Sequence, residues 1–250
     1  MLGIIGGSGF YSAGYTENLR YSEIETEYSD APVPIELIET EKPFVFLARH
    51  GKDHHIPPHE INYRANIDAL KKAGVTEIIA INAVGGIAEG TGPGTVIIPD
   101  QLIDYTWGRQ STFCGQNKQF VQHVDFSLPF DRSLSDRLMN AVDAINDESG
   151  AARPVVTEGV YGVTQGPRLE TAAEIKKMRR DGCDIVGMTA MPEAVLAREA
   201  DMKYGLLALS VNWAAGILPT EVTIEEIEAV LTDGNQFLRR VVAQVILASS

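Results

Sequence analysis

Arg49-His50 directly follows a short apolar run, residues 44–48. A guanidinium beside an imidazole at the end of a buried segment suits an oxyanion, because the Arg fork can donate two parallel hydrogen bonds to it. In isolation the pair reads equally well as an exposed, salt-bridging Arg. Gly6-Gly7-Ser8-Gly9 follows another apolar run, 2–5, and offers backbone N–H groups and a hydroxyl to an anion. It is not a Walker loop, since no Lys follows, nor a dinucleotide fingerprint, since Ser12 occupies the third glycine position counted from Gly7. A plain strand-to-loop turn accounts for the same residues. Asn212 closes a third kind of run, 204–211, where an amide needs partners that a ligand could supply. Glu170-Thr171 reads as the capped opening of a helix, and Met188 as core filling. His50, His54, His55 and His59 invite a metal. Gly51, Pro57 and Pro58 prevent a regular helix there, however, and no H-E-x-x-H pattern occurs, so no metal is expected. With no G-x-S-x-G elbow and no Ser or Cys in a triad context, an attacking group in any enzymatic reaction must belong to a substrate.

The elements that position these residues are short. Residues 2–5, 44–48, 78–81, 95–98, 159–164, 184–188 and 204–211 are runs rich in Ile, Val and Leu, as strands covered on both faces should be. Residues 62–73, 133–146, 171–180, 192–200 and 224–247 carry apolar residues at three- and four-residue spacing, which predicts helices. The alternation predicts an α/β fold: one domain over 1–250, with a central mixed β-sheet flanked by helices. The polar stretch 105–121 reads as an excursion. The strand ends lead into Gly6-Gly7-Ser8-Gly9, Arg49-His50-Gly51, Asn82-Ala83-Val84-Gly85-Gly86, Gln165 to Thr171, Thr189 and Asn212. Ligands of open α/β sheets collect at carboxyl ends of strands, so these residues are expected to form one composite site.

Composition bounds the partners. The 250 residues hold 21 Lys+Arg against 34 Asp+Glu, a formal net charge of −13, which gives no electrostatic footprint for nucleic acid or an anionic membrane. An anionic ligand must therefore be held by local geometry. Two cysteines, Cys114 and Cys183, form no disulfide framework and point to a reducing compartment. Residues 1–6 lack the basic and apolar parts of a secretory signal, and no run approaches the ~18 apolar residues of a membrane span. A cytoplasmic protein is expected.

Six motifs occur in order: Gly6-Gly7-Ser8-Gly9, Arg49-His50-Gly51, Asn62-Tyr63-Arg64-Ala65-Asn66, Asn82-Ala83-Val84-Gly85-Gly86, Gly166-Pro167-Arg168-Leu169-Glu170-Thr171 and Gly187-Met188-Thr189-Ala190-Met191-Pro192-Glu193. Over nearly its whole length the chain resembles the trimeric purine nucleoside phosphorylase and methylthioadenosine phosphorylase family. The resemblance implies a nucleoside phosphorylase fold with Ser8, Arg49, His50, Ala83 (through its backbone) and Thr189 around phosphate, and Asn82 at the edge of that site. Met188 would lie against the ribose. Leu169, Glu170 and Asn212, with Trp213 and Ala214, would meet the purine, Leu169 standing where the family usually stacks Phe. Glu170, Asn212 and His50 would carry the catalytic roles. His123 would be lent to a neighbouring subunit's 5′ pocket, implying a homotrimer, alone or paired into a hexamer. The co-substrate would be orthophosphate, and no cofactor or metal is implied.

Departures within that family bear on the substrate. Adenine-specific members carry an Asp-x-Asp pair where this chain has Asn212-Trp213-Ala214. Members acting on hypoxanthine and guanine have Glu and Asn at the positions of Glu170 and Asn212. A 6-oxopurine offers an N1–H to a carboxylate and an O6 to an amide N–H, which fits that pair. Alignment through Thr223-Ile224-Glu225-Glu226 places Ile224 where a polar His usually meets a 5′-hydroxyl, so an apolar 5′-methylthio group is expected. Together these imply phosphorolysis of S-methyl-5′-thioinosine. The alternatives are a methylthioadenosine or an inosine/guanosine phosphorylase, a hydrolase, or a non-catalytic purine-nucleoside sensor.

Overall fold

The apolar runs fold as strands of one eleven-stranded mixed sheet. The computed structural model describes residues 1–7, 10, 18–115, 121–149, 152–219 and 223–248. In chain order the strands are β1 (Leu2–Gly6), β2 (Leu19–Ile24), β3 (Val33–Ile38), β4 (Phe44–Ala48), β5 (Glu77–Gly86), β6 (Val96–Ile97), β7 (Gln101–Asp104), β8 (Val155–Val156), β9 (Val160–Val163), β10 (Ile185–Gly187) and β11 (Lys203–Trp213). The helices are α1 (Tyr63–Lys72), α2 (Arg132–Ser149), α3 (Ala172–Asp181), α4 (Ala190–Glu199) and α5 (Ile224–Leu247).

Alternation of side chains along each strand divides the core into two faces. Ile5, Val45, Leu47, Ile78 and Ala80 pack with α1 and α4, among them Ile67, Leu70, Ala194 and Leu196. Their neighbours Ile4, Phe44, Phe46, Ile79 and Ile81 face the opposite way, against Leu138 and Val142 of α2 and Leu238, Val241 and Val245 of α5. Both faces of the central strands are covered, which is why those strands read as unbroken apolar runs. Each such Ile or Leu contributes about 1.5–3 kcal/mol by leaving water.

The long strand β5 organises the sheet. It pairs in parallel with β1 as far as Ala80 on one edge and with β11 along its length on the other. Antiparallel pairing with β10 begins only at Gly85 and Gly86. Residues 81–84 thus pair with β11 alone, and the gap on the open edge is where the strand ends converge. The sequence reading stopped this strand at 81 and made 82–86 a loop; the structure corrects that, because β11 supplies ladder partners through Gly86. The antiparallel meander β2–β3–β4 was not predicted either: β2 is largely exposed and its polar sequence LRYSEI lacks the buried pattern. Strands β7 and β8 were likewise missed. Helix α5 occupies the residues expected of it, and α2 and α3 fall within a few residues of expectation. No helix among the described residues is long and apolar enough to cross a membrane.

Candidate active site

The gap beside residues 81–84 opens into a cleft of about 400 Å³. Arg49, His50, Asn82, Ala83, Leu169, Glu170, Met188, Thr189, Asn212 and Ala214 all line it, so residues up to 165 positions apart in sequence share one wall. Gly7 brings the first loop against this wall. A Cβ there would stand 2.4 Å from the Ile81 carbonyl oxygen and 3.1 Å from Arg49 Nη1, so only glycine permits the approach.

At one end the Arg49 guanidinium is 1% exposed and bound by a carboxylate that is equally buried. Arg49 Nε and Nη2 donate to the two oxygens of Glu193, both at 2.7 Å, and Tyr204 Oη donates to Glu193 Oε1 at 2.8 Å. Arg49 Nη1 donates to the Ile81 carbonyl at 3.1 Å, and Nη2 also to Asn82 Oδ1 at 3.3 Å. Burial opposes charge on Arg49, but Glu193 outweighs it and raises the guanidinium's pKa. The fork is therefore fixed, with one Nη1 hydrogen left to donate.

Asn82 is fully used as an orienter. Its Nδ2 donates to Thr189 Oγ1 at 2.8 Å and to Tyr161 Oη at 3.3 Å while its Oδ1 takes Arg49. Thr189 precedes α4 without capping it through its side chain. Having accepted from Asn82, its hydroxyl is left to donate its own hydrogen into the cleft. Beside it His50 Nδ1 lies 2.8 Å from the Ile56 carbonyl, which can only accept, so Nδ1 carries the hydrogen and Nε2 is the acceptor. Desolvation, then the nearby Arg49 charge, lowers the His50 pKa to about 4, leaving a neutral ring whose centroid lies 4.5 Å from that of His54, the two planes tilted by 41°. A hydroxyl-bearing oxyanion fits this set: it can accept from Thr189 and Arg49 and donate to His50.

At the other end stand a carboxylate and an amide. Thr164 Oγ1 donates to Glu170 Oε1 at 2.6 Å, which leaves Oε2 to accept. Capping of α3 falls instead to Thr171 and Glu174, whose reciprocal bonds form a complete capping box. The capping expected at Glu170-Thr171 is thus carried by Thr171, and Glu170 lines the cleft. Asn212 is half-buried on β11, just past a register shift between Ser210 and Asn212. Its Nδ2 donates to the Trp213 carbonyl at 2.7 Å, leaving one amide hydrogen and Oδ1. The partners that this amide was expected to need are supplied in part by the adjacent Trp213 carbonyl. Met188, Ile56, Pro57, Pro58, Val211 and Ile227 also line the cleft.

Some expected residues do not meet here. The Trp213 ring closes over Gly92, where a Cβ would meet it at 2.7 Å, and Trp213 does not line the cleft, because alternation along β11 turns it away from Asn212 and Ala214. His123 is exposed and does not line the cleft of its own chain. Ser8 lies outside the described residues. Ile224 begins α5 behind the cap Thr223; its side chain lies outside what is described, and among the described residues Ile227, one turn on, lines the cleft from α5. Sequence reading gave no site role to Glu193, Tyr204, Tyr161, Thr164 or Ile227, and weighed His54 only as a metal ligand. One signal was available: Glu193 is the lone charge in the apolar first turn of α4. Among the described residues no three His, Cys, Asp or Glu side chains group as metal ligands.

A sequence-family model described as the phosphorylase superfamily matches residues 1–247. A probable S-methyl-5′-thioinosine phosphorylase of Xylella fastidiosa (strain 9a5c) is 48% identical over 229 residues, covering 90% of this chain and 94% of that protein. A 6-oxopurine nucleoside phosphorylase of Pyrococcus furiosus is 42% identical over 231 residues, covering 90% and 84%. Among solved structures, methylthioadenosine phosphorylase from Schistosoma mansoni in complex with adenine superposes with a TM-score of 0.91 at 31% identity, covering 99% of this chain and 91% of that one.

Proposed function

This chain belongs to the phosphorylase superfamily, and on that premise we propose that it cleaves S-methyl-5′-thioinosine with orthophosphate to hypoxanthine and 5-methylthioribose 1-phosphate. It is a pentosyltransferase of the purine nucleoside phosphorylase type. One observation carries the choice of base. Glu170, braced by Thr164, and Asn212 line the same cleft, and Ala214 supplies no second carboxylate. Glu170 Oε2 accepts from N1–H of the 6-oxopurine, and the remaining Asn212 amide hydrogen donates to O6. Adenine inverts both groups, leaving two half-buried partners unpaired, which costs orders of magnitude in discrimination.

In the reaction the C1′–N9 bond breaks, its electron pair leaves with the base, and a phosphate oxygen forms the new bond at C1′. Arg49, Thr189 and the Ala83 backbone, with Ser8, hold the phosphate, and His50 Nε2 accepts from its hydroxyl, so orientation and anion placement do the chemical work. Asn212 is no acid; its Oδ1 receives the N7–H that water supplies to the departing base. Apolar Ile227, one turn after Ile224 on α5, suits a methylthio group over a hydroxyl by about 1–3 kcal/mol. Met188 lies against the sugar and Leu169 against the base. The proposal extends to a single catalytic domain, working without a cofactor in the cytoplasm as a homotrimer in which His123 completes a neighbour's 5′ pocket.

Comparing kcat/KM for methylthioinosine, methylthioadenosine and inosine, with and without phosphate, tests this reading. Methylthioinosine should lead and turnover should require phosphate. Asn212→Asp, alone and with Ala214→Asp, should move preference toward 6-aminopurines. A native preference for methylthioadenosine refutes the base reading, one for inosine refutes the 5′ reading, and turnover without phosphate makes the enzyme a hydrolase.

A further inference from the structure

The polar excursion after β7 contains Arg109, which does not line the cleft yet bonds directly to two segments that flank it, residues 164–165 and 188–191. Its Nη1 donates to the Met188 carbonyl at 2.8 Å, the Met191 carbonyl at 2.6 Å and the Tyr63 hydroxyl at 3.1 Å. Its Nη2 donates to the carbonyls of Gln165 at 2.8 Å and Thr164 at 3.3 Å. The Tyr63 hydroxyl passes its own hydrogen to the Pro58 carbonyl at 2.8 Å. Met188 and Met191 bracket Thr189 on the phosphate side. Thr164 braces Glu170 on the base side, and Pro58 ends the His54 to Pro58 stretch that forms a further wall.

Four carbonyl oxygens converge on this one guanidinium, and without a cation such a cluster of acceptors would be mutually repulsive and unsatisfied. The planar fork serves acceptors on two edges at once, which the compact ammonium of lysine, with three hydrogens, cannot span. Mid-chain position and a polar neighbourhood gave Arg109 no motif by which to be noticed.

We propose that Arg109 is a positioning residue whose guanidinium holds the phosphate-side and base-side segments of the cleft in one arrangement, so that binding at either end favours binding at the other. This rests on the phosphorylase reading above. Energetic coupling of this kind is reciprocal: what phosphate does to purine affinity, purine does to phosphate affinity.

The test uses the full chain and titrates orthophosphate alone, hypoxanthine alone, and each in the presence of the other by calorimetry, beside steady-state kinetics and thermal unfolding. In the wild type each ligand should tighten the other at least about fivefold. Arg109→Gln and Arg109→Lys should both reduce that factor to within about twofold and lower kcat about 10- to 100-fold, with lysine giving no rescue. Tyr63→Phe removes one acceptor and leaves the guanidinium; it should reduce the coupling partially, and serves if both Arg109 variants fail to fold. Unchanged coupling in the variants, a wild type without coupling, a loss confined to one ligand, or a lowered Tm with coupling and kcat intact each overturn the proposal. A wild type without phosphate-dependent turnover overturns the phosphorylase reading, and this inference with it, whereas an active wild type with unaffected variants removes only the role of Arg109.

Discussion

Replacing Glu193 by Gln while leaving Arg49 in place removes the charge that neutralises a guanidinium only 1% exposed. Two charge-assisted hydrogen bonds of 2.7 Å hold this pair, and each bond of this type contributes about 1.5–3 kcal/mol. One of them faces the amide NH2 of Gln in the variant, donor against donor. The Ile81 carbonyl and Asn82 Oδ1 still hold the other edge of the fork, so the expected loss is about 3–5 kcal/mol, the range for a broken buried pair. Against a total stability of about 5–15 kcal/mol this is large. Arg49→Met should cost a similar amount, because it strands the carboxylate with Tyr204 as its donor. The double variant Arg49→Met/Glu193→Met buries no uncompensated charge and should cost clearly less than the sum, a coupling of about 2–3 kcal/mol. Urea unfolding measures this: Cm should fall in both single variants and recover in the double one, at constant m. The recovered double variant should still show a raised KM for phosphate. Additive losses, with the double variant the least stable of the three, would refute the reasoning.

Thr164→Val deletes the hydroxyl that braces Glu170 at 2.6 Å and leaves the shape of the site unchanged. It should raise KM for the nucleoside about tenfold, the equivalent of about 1.4 kcal/mol, with KM for phosphate unaltered. An equal rise in both constants would contradict the division of the cleft. Burial holds the His50 pKa at about 4, against 6.5 for the free group, so between those values the unfolded chain binds a proton that the native one does not. Stability should therefore be complete above pH 6.5 and fall as pH drops toward 4, by up to about 3 kcal/mol from this residue. His54 is lowered by burial too and adds in the same direction. His50→Gln should flatten the slope of unfolding free energy against pH in that window; an unchanged slope would show that His50 is not its source.

That Arg49-His50, Asn212 and Thr189 gather along one cleft was legible because each directly follows an apolar run, and a buried strand in an α/β sheet delivers its last residue to one shared edge; Glu170 lies beyond the end of its run and was singled out by the resemblance. Local periodicity gave α5 its bounds and gave β4 and β1 their places, since each pattern is complete within a few turns or residues. What the chain could not disclose locally is how distant segments satisfy one another. Glu193 meets Arg49 across 144 positions, and that contact settles the guanidinium's charge environment. Strand β5 runs on past 81 because β11 pairs with it, and the cleft opens where pairing of β5 with β1 has ended at Ala80 and pairing with β10 has not yet begun at Gly85. Arg109 acquires its role from four carbonyls contributed by two separate segments, residues 164–165 and 188–191. Composition and spacing therefore determined which groups would gather at the strand ends. Only the folded chain decided which of those groups are free to donate or accept, because hydrogen-bond satisfaction is a property of neighbours in space.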